Sequence, residues 1–176
     1  MASIISRIGS ASAEATTVTI PAAHRAGDIL LMFAFRNGSA TNPTIPAGWT
    51  TITSTTDGTS CSVSMGWKIA VNSDTSGTWT NASGLMCHVY RGLDPLVPFG
   101  TLVANAGTAS PVTYGSTQGV GLDRMDDQWF VAFAAHRLVD TTTATNAPTG
   151  YTLVITALGA TSDMVSFDTN APVEVG

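Results

Sequence analysis

Three histidines, twelve acidic residues and two cysteines are the groups in this 176-residue chain that could do chemistry. His24 lies in Ala22-Ala23-His24-Arg25-Ala26-Gly27-Asp28, a turn before an apolar run; His88 stands between Cys87 and Val89, and His136 closes another apolar run. None has the H-x-H, H-E-x-x-H or C-x-x-C spacing that gathers zinc ligands. Each is expected as a strand or turn residue with a satisfied ring. Asp123, Asp126 and Asp127 cluster in a turn region, where acidic side chains commonly hydrogen-bond the backbone. A calcium ion on these three and a carbonyl would lack the EF-hand order. No G-x-S-x-G elbow occurs; Ser83-Gly84 and Ser64-Met65-Gly66 sit in strand-like surroundings with no helix after them. P-loop and dinucleotide fingerprints are missing as well. The expectation is a protein that is not an enzyme, with no catalytic residue, cofactor or metal.

Cys61 and Cys87 are too few for a disulfide scaffold. They are expected as small buried residues, with a bridge between neighbouring strands as the alternative, one that a reducing cytosol would disfavour. Net charge is −5, and six arginines and one lysine are scattered along the chain. A nucleic-acid binder needs a basic stripe to displace phosphate counterions, so no nucleic-acid partner is expected. No apolar run approaches the ~20 residues of a membrane span. The start, Met1 to Ile8, lacks the basic and long apolar regions of a secretory signal.

The elements that carry these residues read as strands. Charged residues are only 11% of the chain, against about 25% in ordinary globular domains, and Ser and Thr alternate as on pleated surfaces. Residues 1–15 read as an extended N-terminal arm, either frayed or lent to a neighbouring subunit. The rest, 16–176, reads as one domain. Strands are expected at 16–20, 28–36, 49–54, 61–70, 78–91, 99–104, 111–116, 127–136, 151–158 and 163–168. In 28–36, Ile29, Leu31, Phe33 and Phe35 point one way and Leu30, Met32 and Ala34 the other. Both faces are apolar, so this strand should be central and covered on both sides.

A unit recurs. Asp28 begins an apolar strand and Pro46-Ala47-Gly48-Trp49 a corner; Asp127 begins a second strand, 99 residues on, and Pro148-Thr149-Gly150-Tyr151 a second corner, 102 residues on. Two similar halves, about 16–104 and 111–176, are therefore expected to pack face to face. The fold class is an all-β antiparallel sandwich of jelly-roll type. Trp49 and Tyr151 could stack on sugars, but their recurrence in both halves favours rings that plug the ends of the sandwich.

Four short motifs carry a resemblance. Gly27-Asp28-Ile29-Leu30-Leu31, Pro46-Ala47-Gly48-Trp49-Thr50, Gly66-Trp67-Lys68-Ile69-Ala70 and Val89-Tyr90-Arg91-Gly92-Leu93-Asp94-Pro95 together resemble a module of tailed-bacteriophage virion proteins. There the pattern runs approximately G-D-L-L, P-x-G-W-T, Y/W-K-x-A and A-Y-R-G-V-D-P. The likeness covers residues 20–100; Val89 departs from it, and the second half lacks the Trp-Lys and Tyr-Arg-Gly motifs. It implies a structural virion component: a capsid decoration (cement) protein, made in the host cytoplasm, that binds the major capsid protein as a homotrimer. A tail-associated module binding host-surface glycans is the alternative. Contact residues are expected in the arm, at Ile4, Ile5 and Ile8, and in the loop at Leu96, Val97 and Phe99; both segments could equally fold into the chain's own core.

Overall fold

The computed structural model describes residues 5–96, 98–100, 102, 104, 129–137, 147–160 and 162–169. Among them are eight strands and no helix: β1 (Ser6–Ala13), β2 (Ile29–Asn37), β3 (Thr50–Asp57), β4 (Cys61–Ile69), β5 (Gly84–Arg91), β6 (Val131–His136), β7 (Thr152–Leu158) and β8 (Asp163–Asp168). They form two sheets, ordered β1-β5-β2-β4-β3 and β6-β8-β7. Every described pairing is antiparallel. The chain is an all-β sandwich with two similar halves, as its composition and alternation imply.

β2 is the middle of the larger sheet, and Ile29 to Phe35 are all buried. Its even face, Leu30, Met32 and Ala34, packs with Leu85, Cys87 and Val89 of β5 and with Val18, Ile20, Ala70 and Trp79. Its odd face meets the smaller sheet, where Phe33, Phe35, Met86 and Met164 form one cluster and Ile5, Leu31 and Tyr90 another. The strand is thus covered on both sides.

The even face is covered by irregular chain, and this changes two expected strands. Residues 16–20 join no ladder. Val18 and Ile20 instead plug the core, held by Val18 N–H on Ser76 Oγ (3.1 Å) and Trp79 N–H on the Thr16 carbonyl (2.8 Å). The strand expected from Thr78 starts only at Gly84. Before it the chain turns through Asn81 (φ 74°), and the fully buried Trp79 indole donates to the Ser76 carbonyl at 3.1 Å. The described residues of 99–104 lie outside any strand, and 111–116 lies outside the described residues. The N-terminal segment is extended, and its residues 6–13 pair within the chain, as edge strand β1 against β5.

The recurrence extends further than the corners. Pro46–Trp49 and Pro148–Tyr151 are both type II turns: the aromatic N–H donates to the proline carbonyl (3.3 and 2.9 Å) and the third-position glycine has φ 85° in each. Glycine, having no Cβ, takes that φ without strain. Each corner feeds an edge strand carrying a register shift at the same place, between Thr51 and Thr53 in β3 and between Leu153 and Ile155 in β7. The orders β2-β4-β3 and β6-β8-β7 then superpose rung by rung. Trp67 stands opposite Leu31 and Thr50; Asp168 stands opposite Val131 and Thr152. β2 therefore maps to β6 by 100 residues, not the 99 read from Asp28 and Asp127. Strands apolar on both faces do not fix their register by alternation, so a one-residue slip is easily made.

Equivalent residues of β2 and β6 also meet. Phe33 and Phe133 stack with ring centroids 4.9 Å apart and 2° between planes. Arg137 Nε donates to Asn37 Oδ1 at 3.3 Å. Leu31 with Val131, and Phe35 with Ala135, share clusters. The two strands run side by side across the interface.

Candidate functional site

The residues of the four short motifs bond to one another. Asp28 ends the turn before β2 and Arg91 ends β5. Arg91 Nε donates to Asp28 Oδ1 (2.7 Å) and its Nη2 to Oδ2 (2.8 Å), while the Arg25 N–H donates to Oδ2 at 2.9 Å. Burial pushes the Asp28 pKa up, but the Arg91 fork, the Arg25 N–H and both guanidinium charges outweigh it, so the carboxyl lies below its ordinary value. Lys68 bonds Asp74 and the Thr75 carbonyl (3.1 Å), and its ammonium lies 5.1 Å from the centre of the Trp49 ring. Trp49 in turn sets its edge on Trp79 at 5.4 Å. The corner ring is therefore engaged in packing, in agreement with a plug.

His24 belongs to the same region. Its Nδ1–H donates to the Pro21 carbonyl (2.8 Å), which leaves Nε2 to accept from the Asp74 N–H (3.2 Å). The ring is satisfied in one neutral tautomer. His136 is a surface residue, its Nε2 3.6 Å from Asp163 Oδ2.

A second polar group lies between the sheets, and sequence reading did not find it. Asp168 is fully buried; its Oδ2 accepts from Tyr90 OH at 3.1 Å and from Arg7 Nη1. His88, also fully buried, shares a hydrogen bond with Ser10 through Nδ1 (2.6 Å) and stacks on Phe133 at 5.0 Å. Four buried atoms here have no partner among the described residues: His88 Nε2, Ser166 Oγ, Asp168 Oδ1 and Trp129 Nε1. The expectation of a satisfied ring thus holds for His24 and for only one nitrogen of His88. Arg7 and Asp168 are 161 residues apart, and no local pattern announces their meeting.

The Ser10–His88 pair has the residue types of a nucleophile and its base. Its environment works against that use. Burial, with the Arg7 charge behind it, brings the His88 pKa down to about 3. An imidazole that weakly basic removes a hydroxyl proton poorly near neutral pH. Tyr90 is pushed up by burial and then by the Asp168 charge, so it stays a neutral donor. The arrangement ties layers together.

Of the residues expected to make contacts, Ile5 is buried beside Leu31 and Tyr90, and Ile8 packs on the core. Phe99 is half-buried, edge-on to Trp67 at 5.6 Å. Leu96 is 89% exposed. Ile4 and Val97 lie outside the described residues, as do Asp123, Asp126 and Asp127. Cys61 and Cys87 are free thiols. Among the described residues no three His, Cys, Asp or Glu side chains are grouped to hold a metal, and no helix is long and apolar enough to cross a membrane.

Comparison of the chain with family models, curated proteins and solved structures returned no match.

Proposed function

We propose that this protein is a structural component of a tailed-bacteriophage virion: a decoration (cement) protein that binds the major capsid protein on the outer capsid as a homotrimer. It works by buried area, not by bond-making. The observation that carries this reading is the use to which the motif residues are put. Asp28 is joined to Arg91, and Lys68 to Trp49 and Asp74, in clamps that hold strand ends together. Their chemistry is consumed by the scaffold.

Part of what the scaffold leaves outside is apolar. Leu96, Val71 and Ile69 are 89%, 57% and 46% exposed. Ile69 and Tyr90 both stand opposite Ile29, so Ile69 and Val71, just after β4, share one end of the larger sheet with the turn that carries Leu96 after β5. Exposed apolar residues gathered at one end suit a protein-protein contact.

Quantitative gel densitometry of purified virions tests the proposal. A decoration protein is present in hundreds of copies per particle. A handful of copies would make it a tail adhesin, and absence from the particle would overturn the virion reading. As a surface test, Leu96→Asp should leave stability within about 0.5 kcal/mol, as surface changes do, and weaken co-sedimentation with undecorated capsids at least tenfold. Unchanged co-sedimentation would remove this end of the sheet from the contact.

A further inference from the structure

The internal repeat shows why polar atoms collect between the sheets. In the superposition of the two units, β4 maps to β8 with an offset of 101, so Met65 and Trp67 correspond to Ser166 and Asp168. All four lie on the inner side of their sheets, the side of Leu31, Phe33, Val131 and Phe133. In the first unit that row is apolar; in the second it carries a hydroxyl and a carboxylate. Facing it, on β5, are His88 and Tyr90.

These groups are neighbours. Ser166 stands opposite Phe133, whose ring stacks on His88. Asp168, two residues along β8, bonds Tyr90, two residues along β5 from His88. Trp129, edge-on to Tyr90 at 5.8 Å, closes the end of the row. Ser166, His88 and Asp168 have 0% of their surface exposed, and each has a polar atom without a partner among the described residues. A buried polar atom left unmatched costs on the order of 1–3 kcal/mol. Four of the six such atoms among the described residues gather at this row, which marks it as a location built to hold something polar.

The chemistry of the row selects the occupant. Asp168 Oδ1 accepts, the Trp129 N–H donates, and His88 Nε2 and the Ser166 hydroxyl do either, the ring according to its tautomer. An anion would face the Asp168 carboxylate. A cation would compete with Arg7, which already pairs with that carboxylate. A neutral molecule with both donors and acceptors matches, and water is the smallest. Buried waters make about three hydrogen bonds to otherwise unmatched groups.

We propose that the interface between the sheets contains an internal hydration site, in which water bridges His88 Nε2, Ser166 Oγ and Asp168 Oδ1, with Trp129 Nε1 at its rim. The sandwich then has a wet end at this row and a dry end at Phe33, Phe35, Met86 and Met164. This does not depend on the virion reading.

Water–protein cross-relaxation NMR on the intact chain tests it. In the wild-type protein, the His88 ring protons should show cross-peaks to a water that exchanges slowly on the overall tumbling time. Ser166→Val, which removes the hydroxyl and fills its space, should abolish them. The remote Tyr151→Phe should leave them in place. Absence of slowly exchanging water at His88 in the wild-type protein overturns the proposal, as does a signal that survives Ser166→Val unchanged. Should Ser166→Val fail to fold, the wild-type spectrum alone decides.

Discussion

Acid should loosen this sandwich before its carboxylates titrate, and His88 is the reason. The imidazole is fully buried, with a pKa of about 3 in the folded chain against an ordinary 6.5. Ser10, Tyr90, Phe133 and the Arg7 charge surround it, and Asp168 lies one hydrogen bond beyond Tyr90. The folded form resists the proton that the unfolded form accepts. The resulting stability is fully present above pH ~6.5 and is lost as pH falls from there toward ~3. Linkage gives a loss of about 2 kcal/mol at pH 5 relative to pH 7.5, and about 5 kcal/mol once pH is below both values. At pH 5 most carboxylates remain ionised in either state, with ordinary values of ~3.9 and ~4.3, so the interval from 7.5 to 5 sets them aside, and comparison with a variant lacking His88 isolates this imidazole. The assay is urea unfolding followed by tryptophan fluorescence at the two pH values, on wild type and His88→Asn. The variant will differ in absolute stability; the pH slope is the readout. Wild type should lose about 2 kcal/mol more than His88→Asn over this interval. Equal slopes would refute the argument, because then the buried ring is not what resists the proton.

Three further outcomes are expected. Asp28→Asn removes the carboxylate charge that grips Arg91; the melting temperature should fall by several degrees, measured by calorimetry. The stability that Asp28 contributes above its ordinary pKa, and loses as pH falls through its lowered folded value, should vanish from the acid limb of the same measurement. Gly48→Ala and Gly150→Ala should each cost about 1 kcal/mol through backbone strain alone, since an added Cβ meets nothing within 4 Å at either position; chemical denaturation of the singles and the double should show near-additive losses. Cys87, fully buried and with its thiol pushed up to about 12, should ignore an aromatic disulfide reagent in the native state. The half-buried Cys61 should react slowly and alone, so one thiol is counted native and two after denaturation.

Much of the fold was legible because it was written locally. Ile29 to Phe35 announces a strand buried on both faces, and Pro-x-Gly-aromatic announces a type II corner twice. The segments that misled are those where side chains serve the core without joining a ladder. Val18, Ile20 and Trp79 have strand-like sequence, yet their burial is secured by single hydrogen bonds to Ser76 and Thr16. β1 was readable as extended, but not as a strand paired to β5, because Ile8 and small residues give it no strong alternation. The polar row between the sheets was illegible for a different reason. His88, Asp168, Arg7 and Ser10 come from three strands and acquire their meaning only by tertiary approach. The clamp of Asp28 on Arg91 lies between: both residues stood out within their motifs, but their joining, 63 positions apart, did not.

Because Phe33 and Phe133 occupy the same place in their respective repeats and lie flat against each other, each repeat finishes the other's hydrophobic centre at a point where it would also meet itself. A lesion at either ring therefore strikes both repeats at once, and its effect reaches Met86, Met164 and His88 around the pair. The chain behaves, along this line, as its own partner.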